Sequence, residues 1–122
     1  MQPRPFYKSV QFAWRGIVYA VRTERHMRAH LVAAILVALG ALWLGVTMLE
    51  WIALLLVIAI VLVAELLNTA LEVLVDLASP ARKPRAMIIK DLAAGAVLTA
   101  SLIAVMVGVT ILLPYLVVRI TR

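Results

Sequence analysis

Three stretches of this chain carry no charge: Leu31–Leu49, Trp51–Ala64 and Leu92–Val118. A helix of about 20 apolar residues crosses the hydrocarbon core of a bilayer. The first and third stretches meet that length alone. The middle one meets it only if its helix runs on through a polar-striped segment to Asp76. Side chains are 66% hydrophobic over 122 residues. A soluble domain this small buries only about 60–70% of its unfolded surface, which cannot hide them. Lipid is the expected solvent, in keeping with a mean hydropathy of +1.08.

The expected fold is an all-α integral membrane domain covering residues 1–122. Transmembrane helices are expected at 29–49, 51–77 and 90–118, with a loop at 78–89 where Ser79-Pro80 and Lys83-Pro84 interrupt helical structure. A further helix is expected at 5–24. Phe6, Val10, Ala13, Trp14, Ile17 and Val21 share one face of it, and Lys8, Gln11, Arg15 and Arg22 the other. A basic amphipathic helix of this kind lies on a membrane surface. The start, MQPRPFYKSVQFAWRG, lacks a compact apolar region followed by a cleavage site, so it reads as mature sequence rather than a signal peptide.

The chain holds 12 basic and 6 acidic residues, and the basic ones are unevenly placed. Six precede the first span between Arg4 and Arg28. Arg82, Lys83, Arg85 and Lys90 lie between the second and third, while the first link carries only Glu50. The positive-inside rule places the N-terminus and the 78–89 loop in the cytoplasm and the C-terminus outside. Arg119 and Arg122 run against this, whereas Trp43 and Trp51 bracket the outer link as interfacial aromatics do. A net charge of +6 in this setting points to anionic headgroups or a polyphosphate ligand. No basic–aromatic interleaving points to nucleic acid. With no cysteine, disulfides and thiolate metal sites are excluded.

The segment AELLNTALEVLVDL, residues 64–77, is the anomaly. Glu65, Asn68, Thr69, Glu72 and Asp76 fall in one helical stripe less than about 110° wide. A carboxylate near lipid costs a few kcal/mol unless paired, hydrated or neutralised. Clustered acids also repel one another. A divalent cation relieves both penalties, and Mg²⁺ suits one or two carboxylates completed by substrate phosphates. Helix-to-helix hydrogen bonding accounts for Asn68 and Thr69 equally well, but carboxylates are poor glue. If the N-terminal helix continues, Glu24 lies on its apolar side with Arg28 one turn on. That pair reads either as a surface ion pair or as a metal-holding acid at the interface. His26 and His30 stand four apart without further good zinc ligands, so they read as interfacial polar residues. Asp91 is placed to cap the third span, and Lys90 with Arg82 and Lys83 to neutralise phosphate. No glycine-rich phosphate loop occurs.

E-L-L-N-T-A-L-E-V-L-V-D-L at 65–77 resembles the signature of the prokaryotic diacylglycerol kinase family, close to E-x-x-N-[ST]-A-[IL]-E-x-x-V-D. W-R-G-I at 14–17, E-R-H-M-R-A-H at 24–30, L-E-W at 49–51, S-P at 79–80 and K-D-L-A-A-G-A-V-L at 90–98 follow in family order. The resemblance implies a homotrimeric lipid kinase in the bacterial cytoplasmic membrane. It would transfer the γ-phosphate of Mg·ATP to a lipid hydroxyl. It implies Glu65 as general base and Glu24 and Glu72 as Mg²⁺ ligands. Phe12, Glu24, Glu72, Asp76, Arg82, Lys83, Lys90 and Asp91 would lie at the nucleotide. Arg28, His30, Glu65, Asn68 and Ala94 would lie at the lipid. E-R-x-x-R-x-H and A-A-G-A-V-L look like the undecaprenol kinase branch rather than the proteobacterial diacylglycerol kinases, which carry an acid at the His30 position. His26 in place of asparagine, R-A-M-I-I at 85–89 without a lysine, and Phe12 in place of a tyrosine depart from the pattern. Two other classes stay open: a small ion or proton channel lined by the acids, and a non-enzymatic scaffold that uses them for assembly.

Overall fold

The structure, a computed structural model, describes residues 3–122. It consists of four helices: α1 Phe6–Thr23, α2 Arg25–Leu44, α3 Met48–Ala78 and α4 Pro84–Ile120. The last three are long and apolar enough to cross a membrane.

The chain does not run helically through Glu24. This residue is extended, with φ −97° and ψ 117°, and separates α1 from α2. The Arg28 guanidinium explains the break. Its Nη1 donates to the carbonyls of Val21 and Arg22, both at 3.0 Å, and so caps the C-terminal end of α1 with a cation. Arg28 is therefore occupied by carbonyls, and no ion pair joins it to Glu24 among the described residues.

The first span ends at Leu44, sooner than expected, because Gly45 takes a left-handed φ of +70°. Two residues later a capping box starts α3. The Glu50 N–H donates to Thr47 Oγ1, and the Thr47 N–H donates to Glu50 Oε2. The signal T-M-L-E is local and legible in the sequence.

The second link is also shorter than the expected 78–89, because α4 starts at Pro84. Proline at the first helical position loses no bond, as that N–H has no partner in any helix. Lys83-Pro84 is thus a helix start, and Asp91 lies two turns inside α4 rather than capping it. Arg82 takes a left-handed φ of 50° in the turn between α3 and α4.

The 31 residues of α3 span about 46 Å and the 37 of α4 about 55 Å. A bilayer core is only about 30 Å thick. Both helices overrun it, and the overrun of α3 holds the polar stripe. The well-packed core lies at the opposite end, beside the α2–α3 turn. There Ala41, Val46 and Leu54 are buried under Val37, Leu44, Trp51, Ile111, Leu112 and Tyr115. Trp51 joins this cluster, while Trp43 stays 56% exposed with the Arg119 guanidinium 4.5 Å from its ring centre. Leucines along all three long helices face outward, as an apolar solvent permits. The apolar face of α1 is also uncovered, with Phe6 84% and Trp14 65% exposed.

Glu50 Oε2 also accepts a 2.7 Å hydrogen bond from the Tyr115 hydroxyl on α4. One carboxylate thus caps α3 and ties α4 to it. Thr47→Ala should cost about 1 kcal/mol through the lost cap. Tyr115→Phe should lower the melting temperature in detergent, and Glu50→Ala should lower it further because both functions go.

Candidate functional site

At the end remote from that core, α3 places its polar residues at i, i+3 and i+4 intervals. Glu65 comes first and is only 3% exposed. Its Oε1 lies 3.1 Å from His30 Nε2 on α2. As imidazolium, or as the neutral tautomer with a proton on Nε2, His30 donates to the carboxylate. Thr69, also buried, turns its hydroxyl back to the Glu65 carbonyl at 3.0 Å. One turn on, Asn68 Nδ2 donates to Glu72 Oε1 at 3.3 Å, while Asn68 Oδ1 is buried and accepts nothing. A turn further, Asp76 Oδ1 accepts from Lys90 Nζ across the α3–α4 contact.

Burial declines along this stripe. Glu65 is buried, Glu72 half-buried and Asp76 exposed. From Met48 to Glu65 the helix rises about 26 Å. That is close to the thickness of about 30 Å of a bilayer core, and the later acids lie beyond Glu65 along the same helix.

Beneath His30 a cleft of about 600 Å³ opens between α2, α3 and α4. Ala33, Ala34 and Gly40 line it from α2, and Ala104 and Gly108 from α4. The Ser101 hydroxyl on its wall donates to Val97 O in its own helix and so presents no free donor.

The expected site residues are brought together in part. Glu65 meets His30, Asn68 meets Glu72, and Asp76 meets Lys90. Glu24 is half-buried at the α1–α2 break. Among the described residues no group of three or more His, Asp or Glu is close enough to hold a metal. Arg82 and Lys83 are exposed on the loop, and Asp91 and Ala94 on α4. Phe12 lies on the basic side of α1 between the Arg4 and Arg15 guanidiniums, 5.4 and 5.6 Å from its ring centre. The sequence read His30 as an interfacial polar residue and did not pair it with Glu65. Its partner is 35 positions away, so no local pattern reveals it.

The sequence profile of the prokaryotic diacylglycerol kinase family matches residues 11–112. The chain belongs to that family. It is 40% identical over 111 residues to an undecaprenol kinase from Bacillus subtilis, covering 91% of this chain and 90% of that protein. A diacylglycerol kinase from Synechocystis is 42% identical over 107 residues, covering 87% of this chain and 61% of that protein. The Escherichia coli diacylglycerol kinase is 31% identical over 98 residues, 80% of each chain. The resemblance read from the sequence is borne out, and with it the enzyme class, a lipid kinase. The channel and scaffold readings are set aside on this ground.

Removing His30 leaves a buried carboxylate without its donor. The histidine is a quarter exposed, so the full cost of breaking a buried pair is not expected. His30→Ala should destabilise the protein by about 1–3 kcal/mol, and His30→Gln should recover part of that by keeping an N–H donor. The Asp76 side chain is 68% exposed, so Asp76→Ala should cost less than about 1 kcal/mol. Thermal unfolding of the three variants in one detergent checks both expectations.

Proposed function

We propose that this protein transfers the γ-phosphate of ATP to the hydroxyl of undecaprenol at the cytoplasmic face of a bacterial inner membrane. The observation that carries this reading is a buried carboxylate, held by histidine, at the rim of an apolar cleft. A lipid hydroxyl entering from the cleft meets Glu65, and ATP arrives from the exposed end. As the lipid oxygen bonds to the γ-phosphorus, the bond to the bridging oxygen of ADP breaks. ADP leaves with that electron pair, and the hydroxyl proton passes to Glu65 as general base. His30 keeps the Glu65 carboxylate in place. Lys90, Arg82 and Lys83 balance phosphate charge, with Lys90 shared between Asp76 and the nucleotide. Phe12 and Asp91 flank the nucleotide, and Arg28, Asn68 and Ala94 border the lipid headgroup.

Phosphoryl transfer depends mainly on positioning and charge neutralisation. Mg²⁺ in its usual minimal form takes one or two carboxylates, which Glu72 and Glu24 would supply, with the remaining positions left to water and phosphate. The unpartnered Asn68 Oδ1, hydrogen-bonded through its amide to Glu72, offers one more hard acceptor nearby. When bound, the ion neutralises charge on the β- and γ-phosphates.

α1 would lie on the cytoplasmic leaflet with its uncovered apolar face in the headgroup layer. The N-terminus and the α3–α4 loop would be cytoplasmic and the C-terminus outside. Three spans enclose such a site poorly, and a homotrimer would complete it. Undecaprenol is preferred because the undecaprenol kinase relative matches over more of its own length. The branch-like motifs around His30 and Ala94 agree. Diacylglycerol is the second reading, carried by the two other relatives.

Purified protein in micelles with Mg·ATP tests the reading, with undecaprenol and diacylglycerol offered separately. Undecaprenyl phosphate should form faster. Glu65→Gln should lower kcat by about 10²–10⁴-fold, the range for loss of a general base. Glu72→Ala should abolish turnover. Faster phosphatidic acid would reverse the choice of lipid. No product from either lipid, with ion flux in vesicles, would overturn the kinase.

A further inference from the structure

We propose that the end of the bundle opposite the acidic stripe binds the phosphate of an anionic phospholipid through Arg119 and Arg122, with Leu44, Pro114 and Val118 against the start of its acyl chains. This goes beyond the lipid-kinase reading and does not rest on it, because the lipid meant is a membrane phospholipid and not a phosphoryl acceptor.

The two arginines are the basic residues that the charge asymmetry of the chain leaves unexplained. They stand three positions apart where α4 ends, and so on one side of it. Both are exposed, and neither pairs with a carboxylate among the described residues. Both line a cleft with Leu44 from α2 and Pro114, Tyr115 and Val118 from α4. That lining holds two cations and no acid.

A basic residue at the end of a helix commonly serves its last carbonyls. Here Thr121 does so: its N–H donates to Val117 O at 3.1 Å, and its Oγ1 donates to Val117 O at 2.8 Å and to Val118 O at 3.5 Å. The Arg119 guanidinium turns to α2 instead and lies 4.5 Å from the centre of the Trp43 ring. An aromatic ring attracts the cation and leaves its fork of N–H donors for an oxyanion. Arg119 is thus held in place with its donors unspent.

The surrounding charges do not cancel the pair. Glu50 is bonded to the Tyr115 hydroxyl, but it also accepts from the Thr47 N–H and stands at the positive N-terminal end of α3. The C-terminal end of α4 sets only about half a negative charge against two positive ones. The cleft therefore stays cationic beside an apolar wall. A free anion would leave that wall unused, and a neutral lipid would leave both guanidiniums unpaired. An amphiphile with a phosphate at its head satisfies both.

The test uses the full chain in bilayers that mix phosphatidylglycerol and phosphatidylcholine, with bromine on the acyl chains of one lipid at a time. Trp43 lies beside Arg119, so the part of the fluorescence quenching that is lost in Trp43→Phe reports this site. Phosphatidylglycerol should be preferred there about thirtyfold, each basic side chain at an anionic surface being worth about fivefold. Arg119→Gln combined with Arg122→Gln should bring the preference close to one. Arg15→Gln combined with Arg22→Gln, on the basic face of α1, should leave it unchanged. Equal quenching by the two lipids in the wild type overturns the site, and so does a preference that survives the Arg119–Arg122 double variant. Displacement of the brominated phosphatidylglycerol by inorganic phosphate also overturns it and assigns the cleft to a free anion. A change of oligomer size in that double variant overturns it and assigns the cleft to a second copy. No phosphorylation enters the readout, so a failed kinase assay removes the kinase reading and leaves this site standing.

Discussion

A carboxylate at the edge of a hydrocarbon layer must have a donor, and that requirement organises this protein. Glu65 has one in His30, which belongs to another helix. The 3.1 Å contact ties α2 to α3 at the site end, away from the cluster of Ala41, Val46 and Leu54. Without it the cleft would have no polar rim, and a buried charge would stand uncompensated. The same contact sets Glu65 against the histidine that lines one end of the apolar cleft.

Helix length supplies the second constraint. α3 and α4 exceed the apolar thickness by several turns, so one continuous helix passes from lipid to water. The stripe on α3 follows that passage, from buried Glu65 through half-buried Glu72 to exposed Asp76. The acids of the stripe therefore share one helix face with no flexible segment between them. The opposite end is closed differently. Glu50 joins the start of α3 to Tyr115 on α4, and Gly45 makes the turn tight.

Local signals in the sequence proved sound where the physics was local. The uncharged runs marked three spans, and the 65–76 spacing placed five polar residues on one stripe. The errors lay at boundaries. Lys83-Pro84 was expected to interrupt a helix, yet proline is well suited to start one. The pairing of Glu24 with Arg28 presupposed a helix continuing past Glu24, yet Arg28 folds back on the carbonyls before it and α1 ends at Thr23. Both cases turn on which backbone groups find partners, and composition does not report that.

The sequence alone determined that the chain lives in lipid, that its acids share one helix face, and which family it resembles. Those follow from hydropathy, from a period of 3.6 and from a long polar signature, all readable along one segment. Only the tertiary structure decided that His30 holds Glu65, that Glu50 holds Tyr115, and that a cleft opens between three helices. Each of those joins residues far apart in the chain. A partner at that range is chosen by how helices meet in space, and neither periodicity nor spacing carries that information.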